Sequence, residues 1–255
     1  MRLCASADLY QKRDRAPSSS VNYVVSHDGF TLRDLVSFEA RLNLANGEDN
    51  RDGHAHNLSF NAGIEGPTSS PEVNALRAQL QRTLIACTLL SQGTPMMSAG
   101  DELGHSQGGN NNPYCQDNDT TWIAWERADD GLIRFTAEVL AIRKQWMPFA
   151  STWHTGQSEA DGQADLTWFK PDGQPLIAQD WQDQQAFALG CLIQKKSQDT
   201  GHVFALLFNP EHHAQSFNLP QGQWEVLLNS DCAAGSPVTV VNAHTLVLLK
   251  RIATV

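Results

Sequence analysis

Short apolar runs alternate with amphipathic stretches along the first 149 residues. Residues 21–25 (VNYVV) are rich in β-forming residues and are bounded by serine- and glycine-containing segments, so they predict a strand. Thr31 and Asp34 then have the spacing of a helix capping box, and apolar residues up to position 38 predict a helix directly after the strand. Residues 94–100 (TPMMSAG) predict a second, buried strand.

Two longer stretches in this part have the period of a helix. Ser70 and Pro71 form a helix N-terminal signal, and apolar residues follow at helical spacing as far as Gly93. Residues 132–146 have the same kind of pattern. Residues 43–68 and 106–120 are polar and without a period, which predicts two long loops.

The pattern changes beyond residue 149. Short alternating or apolar runs are separated there by turn signals such as Asn209-Pro210, and the runs lie at residues 166–169, 187–193, 203–208, 224–228 and 245–249. About 100 residues of this texture predict an antiparallel β-sandwich. We therefore expect an α/β domain at residues 1–149, followed by an all-β domain at residues 150–255.

The α/β part is incomplete as a parallel sheet. Strands of such a sheet are apolar on both faces and need neighbouring strands and helical cover on each side. Two strands and three helices cannot supply this cover. We therefore expect further strands to be required.

Composition and charge exclude several classes of protein. With 18 Lys+Arg against 28 Asp+Glu the formal net charge is -10, and no basic cluster is suited to a phosphate backbone, so nucleic acid is not an expected partner. The apolar runs are far shorter than the roughly 20 residues of a membrane helix, so no membrane contact is expected. The N-terminal residues lack the apolar segment of a secretory signal, which predicts a cytoplasmic protein. Five cysteines without C-x-x-C spacing indicate reduced, structural thiols.

Acidic residues follow both predicted strands. His27 and Asp28 come after the first strand, and Asp101 and Glu102 come after the second. Ligands of α/β proteins gather at the carboxyl ends of the strands, so these residues are candidates for a functional site. The alternative is structural: Asp28 would cap the following helix, and Asp101 and Glu102 would pair with nearby arginines.

Both polar loops are rich in amides and carboxylates. Residues 46–53 (NGEDNRDG) and 108–118 (GGNNNPYCQDN) contain few positive charges. Asn, Gln and Asp offer the donors and acceptors that the hydroxyls of a neutral sugar require. Trp122 and Trp125 follow the second loop, where they would either stack on a sugar ring or be buried at the domain junction.

Three other kinds of site are less favoured. The His and Asp residues at positions 49–56 are metal-ligand types, yet they lack the alternation of an EF-hand and no H-E-x-x-H motif is present, so no metal is expected. Cys115 has no strand-to-helix elbow or nearby base and is expected to be structural or to line the substrate site. The glycine pair at 108–109 is not followed by Lys-Ser/Thr, which disfavours a phosphate site.

Seven short motifs occur together in one order along the chain. They are VNYVVSHDG (21–29), NGE (46–48), NRDG (50–53), GIEGP (63–67), GDE (100–102), GNNN (109–112) and YCQDN (114–118). With these motifs the chain resembles, from about Ala5 to its C-terminus, the glycogen debranching enzymes of isoamylase type in the α-amylase superfamily, glycoside hydrolase family 13. The resemblance implies the last two βα units of a TIM (β/α)₈ barrel, followed by a C-terminal antiparallel β-sandwich domain. It also implies hydrolysis of α-1,6 linkages in glycogen or limit dextrin, α-glucans including maltooligosaccharides as partners, and no cofactor.

The resemblance assigns roles to individual residues. The segment 26–28 resembles the family's fourth conserved region at the end of barrel strand seven, and residues 94–100 would be strand eight. Asp28 would be the carboxylate that stabilises the transition state. Substrate contacts would come from His27, Asp101, Glu102, Asn111, Asn112, Tyr114, Gln116 and Asp117.

Two of the three catalytic carboxylates have no match in this sequence. In the family the nucleophilic Asp follows strand four and the acid Glu follows strand five, upstream of all the motifs found here. A retaining glycosidase needs both groups, about 5 Å apart, so we expect the chain to be inactive by itself.

Three origins are compatible with this deficit: a truncated product, one half of a split enzyme whose other chain supplies the missing strands, or a segment taken in isolation. Truncation is favoured because residues 1–3 join the family-like run without a domain start. The alternative function is a non-catalytic α-glucan-binding or chain-association module.

Overall fold

The chain divides into two units. The computed structural model describes residues 3–146, 149, 151–157, 164–183, 188–195, 201–232 and 238–252. One unit comprises Met1–Val21, Leu89–Thr94 and Val139–Val255, and the other comprises Asn22–Thr88 and Pro95–Glu138. Residue 150, where the second predicted domain begins, lies outside the described residues, so the boundary at 149–150 stays a prediction.

Four α-helices lie in the described part of the chain: α1 (Ala7–Tyr10), α2 (Leu32–Leu35), α3 (Pro71–Leu90) and α4 (Asp130–Trp146). Short 3₁₀ turns occupy Gln11–Arg13, Pro17–Ser19, Leu44–Asn46, Asp101–Leu103, Trp125–Arg127 and Asp180–Gln182. The two predicted loops are otherwise irregular, as expected. None of these helices is both long enough and apolar enough to cross a membrane.

The two long helices begin at capping side chains. Ser70 Oγ accepts a hydrogen bond from Val73 N (3.4 Å) at the start of α3, as predicted, and Asp129 Oδ1 accepts one from Leu132 N (3.0 Å) at the start of α4. At the other end of α3, Arg143 donates to the carbonyls of residues 89, 91 and 93. The first of these bonds satisfies a carbonyl group that the end of a helix leaves without a partner, and the other two bind the chain just beyond α3.

Helix α2 is capped as predicted but is shorter than its apolar pattern suggests. Thr31 Oγ1 accepts a hydrogen bond from Asp34 N (3.2 Å). The helix stops because residues of the first predicted loop donate hydrogen bonds to its next carbonyl groups. Phe60 N donates to Leu35 O (2.9 Å), and Gly66 N donates to Ser37 O (2.8 Å). A helix needs those carbonyls for its own i to i+4 bonds.

The two strands predicted before residue 149 pair in parallel. β1 is Val21–Asn22 and β2 is Thr94–Pro95. Thr94 N donates to Ser20 O (2.8 Å) and Met96 N donates to Asn22 O (2.9 Å), so donors and acceptors advance together along both strands. Both strands are shorter than predicted.

The second strand, residues 94–100, is not buried as predicted, since Thr94 and Met96 are exposed. Val21 and Tyr23 are exposed as well. In the described residues β1 and β2 form a sheet of two strands only. Because a parallel strand is buried by neighbouring strands and by helices on both faces, two strands alone leave apolar side chains in contact with water.

The C-terminal part is an antiparallel β-domain, as predicted. Its strands are β3 (Leu166–Phe169), β4 (Leu189–Lys195), β5 (His202–Asn209), β6 (Gln215–Ser216), β7 (Trp224–Asn229), β8 (Val240–Val241) and β9 (Thr245–Arg251). Five of them form one sheet in the order β3-β4-β5-β9-β7, and β6 pairs with β8 in a second sheet. Phe187, the first residue of one predicted run, lies outside the described residues.

The two sheets of this domain share a core. Phe169, Leu207 and Leu249 from the large sheet are buried with Val241 and Phe217 from the small sheet and its flank. The rings of Phe169 and Phe217 meet edge to face, with centroids 6.4 Å apart. Shared burial between two sheets is the arrangement of a β-sandwich.

A glycine is required where β3 meets β4. Gly190 lies directly opposite Phe169 in the register of the two strands. A Cβ atom at position 190 would lie 2.1 Å from the end of that ring. The phenylalanine can therefore cover this part of β4 only because the position carries no side chain.

Candidate functional site

Asp28, the predicted catalytic residue, and His27, a predicted substrate contact, lie in an exposed turn that follows β1. The side chains of His27 and Asp28 are 90% and 65% exposed, and His27 Nε2 lies 3.4 Å from Asp28 Oδ2. Gly29 continues the turn with a φ of +117°, which favours glycine. The N-cap of α2 is Thr31, so the alternative role of Asp28 as a helix cap is wrong. Its carboxylate is open to solvent.

A main-chain hydrogen bond ties this turn to the second polar loop. Gly29 N donates to Asn111 O (3.0 Å). The position of Asn111 therefore influences the turn that carries Asp28.

Asp101 is buried beneath the first turn of α2. Its Oδ1 accepts from Leu32 N (3.0 Å) and its Oδ2 accepts from Ser98 N (3.1 Å). Burial raises the pKa of Asp101 to about 6, although both backbone hydrogen bonds act in the opposite direction. Glu102 Oε2 accepts from Gly100 N (3.1 Å). Both carboxylates thus have backbone partners, and not the arginine partners of the alternative expectation. Their role in substrate binding stays a prediction.

Amide and carboxylate side chains of the two loops bind one another. We call this set the amide network; its members are Asn43, Asn46, Asp52, Asn110, Asn111, Asn112 and Gln116. Asn43 Nδ2 donates to Asn111 Oδ1 (2.9 Å), and Asn111 N donates to Asn43 Oδ1 (3.0 Å). Gln116 Nε2 donates to Asn46 Oδ1 (2.8 Å). The network joins residues 43–52 to residues 110–116.

Asp52 is the negative centre of the amide network. Its Oδ2 accepts from Asn46 Nδ2 (2.7 Å) and from Asn112 Nδ2 (3.0 Å). The hydrogen bond from Asn46, with that from Asn112, lowers the pKa of Asp52 against the opposing effect of desolvation. In the described residues no group of three or more His, Cys, Asp or Glu side chains is arranged to hold a metal ion.

Three predicted sugar contacts are therefore used within the protein. Asn111 is buried, and its Nδ2 donates to His54 O (2.9 Å) and Asn57 Oδ1 (2.6 Å). Asn112 and Gln116 donate to the network described above. Contacts between these three residues and a substrate stay a prediction.

The network also explains a glycine in the first loop. Gly53 has a φ of +71°, and a Cβ atom there would lie 2.3 Å from Asn111 Oδ1. Gly47 has a similar φ of +77°, but a Cβ atom there would meet nothing within 4 Å. Position 53 thus needs glycine both for its backbone and for the close approach of the second loop.

Tyr114 and Asp117 lie on the exposed side of the second loop. Asp117 Oδ1 accepts a hydrogen bond from Trp122 Nε1 (2.9 Å), which holds the indole in place. Trp122 is 57% exposed and Trp125 is 70% exposed, so the expectation that they are buried at a domain junction is wrong.

Sequence reasoning missed the structural role of Asp34. The residue is fully buried, and its carboxylate accepts from Ser106 Oγ (2.5 Å), Gln107 N (2.8 Å) and Gly109 N (3.4 Å). Burial raises its pKa, and these hydrogen bonds act against the increase. The one available signal was an aspartate where the capping box usually has glutamate.

A solved structure identifies the class of fold. The chain is similar to a pullulanase from Anoxybacillus sp. LM18-11 in complex with maltotetraose, with a TM-score of 0.63 and 17% identity over 98% of this chain and 30% of that chain. No protein-family model matches the chain. The fold is the C-terminal portion of a TIM barrel followed by an antiparallel β-domain, as predicted.

Curated relatives identify the family that the chain resembles. The chain is 45% identical to a glycogen debranching enzyme of Pectobacterium atrosepticum over 225 residues. This aligned region covers 88% of this chain and 32% of the relative. The chain is 41% identical over 253 residues to a glycogen debranching enzyme of Serratia proteamaculans, which covers 98% of this chain and 36% of the relative. The chain thus spans about a third of the length of these relatives. The resemblance to glycogen debranching enzymes is confirmed.

Proposed function

We propose that this chain forms the last two βα units and the C-terminal domain of a glycoside hydrolase that cleaves α-1,6 linkages in glycogen or limit dextrin. The observation that carries the proposal is the exposed pair His27 and Asp28 in the turn that follows the parallel strand β1. Catalytic residues of TIM barrels come from these strand ends. Similarity to glycogen debranching enzymes supports the choice of reaction.

Asp28 stabilises the transition state in this proposal. Cleavage of a glycosidic bond passes through an oxocarbenium-like state with positive charge on the sugar ring. A carboxylate next to that ring lowers the energy of the charged state more than that of the neutral ground state. His27 hydrogen-bonds the same sugar, and the bond between Gly29 N and Asn111 O holds the turn in position.

The 255 residues by themselves lack the other two catalytic carboxylates of the proposed mechanism. Loss of a general acid alone typically lowers a rate by factors of about 10² to 10⁴, and loss of groups that act together removes most of the rate enhancement. We therefore propose that hydrolysis requires a polypeptide carrying the remaining six βα units of the barrel. The exposed apolar side chains of Val21 in β1, and of Tyr23 and Met96 just after β1 and β2, support a contact with such strands.

α-Glucans are the proposed ligands. The pullulanase with a similar fold is in complex with maltotetraose, and the relatives are named for glycogen. All five cysteines are free thiols. Free thiols are typical of a reducing compartment, which supports the proposed cytoplasmic location.

A non-catalytic α-glucan-binding module is the second candidate. The exposed indole of Trp122 favours it, since an aromatic face of this kind can pack against a sugar ring without any catalytic group. This module would bind maltooligosaccharides and release no reducing ends under any condition.

The release of reducing ends from limit dextrin separates the two candidates. The chain alone should release none above background, and addition of a second chain with the six remaining βα units should restore hydrolysis. Association of the two chains, measured by size-exclusion chromatography, serves as the control. A complex that forms and binds maltohexaose without hydrolysing limit dextrin would support the binding module instead.

A further inference from the structure

A cavity of about 560 Å³ opens in the unit made of Asn22–Thr88 and Pro95–Glu138. It lies between α2, the first half of α3, and residues 103–106 and 119–129. Its volume is in the range of small-molecule binding pockets. Asp28 and the eight residues that the resemblance assigns to substrate contacts do not line it, whereas Trp122, a candidate for stacking on a sugar ring, does.

The charged side chains of the wall balance one another. Three arginines and three aspartates line the cavity: Arg33, Arg77, Arg127, Asp34, Asp119 and Asp129. Arg77 donates to the carbonyls of residues 61, 64 and 66, and the Asp34 carboxylate accepts from residues 106, 107 and 109. The wall thus has no excess of either charge, which favours a neutral ligand over a phosphate or an ammonium group.

Trp122 gives the cavity an aromatic wall that is open to solvent. The indole is 57% exposed, and its Nε1 is held by Asp117 Oδ1 at 2.9 Å. A fixed aromatic ring presents a flat apolar surface at little cost in side-chain entropy. The C–H face of a pyranose ring is a matching surface.

The wall also contains polar atoms without hydrogen-bond partners. They are the acceptor Gln81 Oε1, the donor Arg77 Nε and the imidazole nitrogen His105 Nε2. Burial lowers the pKa of His105, which favours a neutral ring. All three atoms belong to side chains that line the cavity. A hydroxyl group can serve all three, because it both donates and accepts.

We propose that this cavity is a second α-glucan site, in which Trp122 stacks on a glucose unit of a maltooligosaccharide away from the cleavage point at Asp28. The choice of α-glucan rests on the proposed function. The site itself rests on the cavity, the balanced charge, the open indole and the unpartnered polar atoms.

Isothermal titration of the full chain with maltohexaose tests the second site. Trp122→Ala should weaken binding by about fivefold or more, because an aromatic platform is lost. Trp125→Ala is the matched control: Trp125 is exposed to a similar degree but does not line the cavity, so the affinity should stay within about twofold. Inorganic phosphate, titrated as a charged probe, should not bind. Thermal melts establish that both variants are folded.

The variant Asp28→Asn separates this proposal from the proposed function. If Trp122→Ala leaves the affinity unchanged, or weakens it no more than Trp125→Ala does, the second site is refuted, whatever Asp28→Asn does. A second outcome is that Trp122→Ala abolishes binding of maltohexaose but Asp28→Asn leaves hydrolysis by the completed enzyme unchanged. In that case the second site stands and the proposed function fails. Binding of phosphate in competition with maltohexaose would overturn the assignment of a neutral ligand.

Discussion

Replacing Asp34 by alanine should release residues 106–109 from helix α2. The carboxylate of Asp34 accepts three hydrogen bonds from this segment, two of them from main-chain N–H groups. Alanine removes both acceptor oxygens, and with them all three hydrogen bonds, at a fully buried position. The main-chain N–H groups of Gln107 and Gly109 then lose the acceptor that they have in the wild type, so we expect the segment to open to water.

The expected cost of Asp34→Ala is about 3 kcal/mol. Each buried donor left without a partner costs about 1 to 3 kcal/mol, and three donors are affected. The expected loss of stability lies near the lower end of this range because alanine also removes the unfavourable burial of a carboxylate. The same burial raises the pKa of Asp34. Asp34→Asn should cost only about 1 kcal/mol. Its amide oxygen can face the two N–H groups while its amide nitrogen donates to the Ser106 hydroxyl.

Hydrogen exchange followed by mass spectrometry measures this release directly. Peptides that contain residues 106–110 should exchange at least about tenfold faster in Asp34→Ala than in the wild type, and nearly normally in Asp34→Asn. Peptides from β5 and β9, which belong to the other unit, are the internal control. Unchanged protection of residues 107 and 109 in the alanine variant would refute the reasoning.

Gly53→Ala should destabilise the first loop by about 2 kcal/mol more than Gly47→Ala does. Both substitutions place alanine at a positive φ, but only the Cβ atom at position 53 meets the amide network. Equal shifts of the melting temperature in the two variants would contradict this. Gly190→Ala should cost about 1 to 3 kcal/mol by pressing on a buried ring, whereas Gly201→Ala, in open space, should change the melting temperature little. Asp101, with a pKa raised from 3.8 to about 6, stabilises the fold in its protonated form below its ordinary pKa and loses that stabilisation as pH rises through about 6. Between roughly pH 3.5 and pH 7 the unfolding free energy of the wild type should therefore fall by about 3 kcal/mol relative to that of Asp101→Asn. Urea titrations measure both free energies, and a difference between the two proteins that does not change with pH would rule this out.

Elements that depend on local patterns were predictable from the sequence. Helix α3 begins at Pro71 behind its Ser70 cap, and strands β5 and β9 coincide closely with apolar runs. The length of α2 was not predictable, because Phe60 and Gly66, far along the chain, take the carbonyls that would continue it. A distant competitor for a hydrogen bond leaves no mark in a local window.

The chemistry of the site was predictable only by residue type. Amides and carboxylates suited to sugar hydroxyls are present in both loops, yet Asn111 and Gln116 turn toward the other loop. The same donors and acceptors bind a sugar or one another, so composition cannot decide between these partners. The exposure of Asp28, in contrast, agrees with the role that the resemblance implies.

The most direct test of the account is the turnover number on limit dextrin of the completed enzyme, with Asp28 and with Asn in its place. We expect Asp28→Asn to lower kcat at least about 100-fold while the Kd for maltohexaose changes less than about threefold, because the carboxylate acts on the charged transition state. Asp172→Asn, at an exposed position outside the site, should leave kcat unchanged. An unchanged kcat for Asp28→Asn, or full activity from the 255 residues alone, would contradict the account.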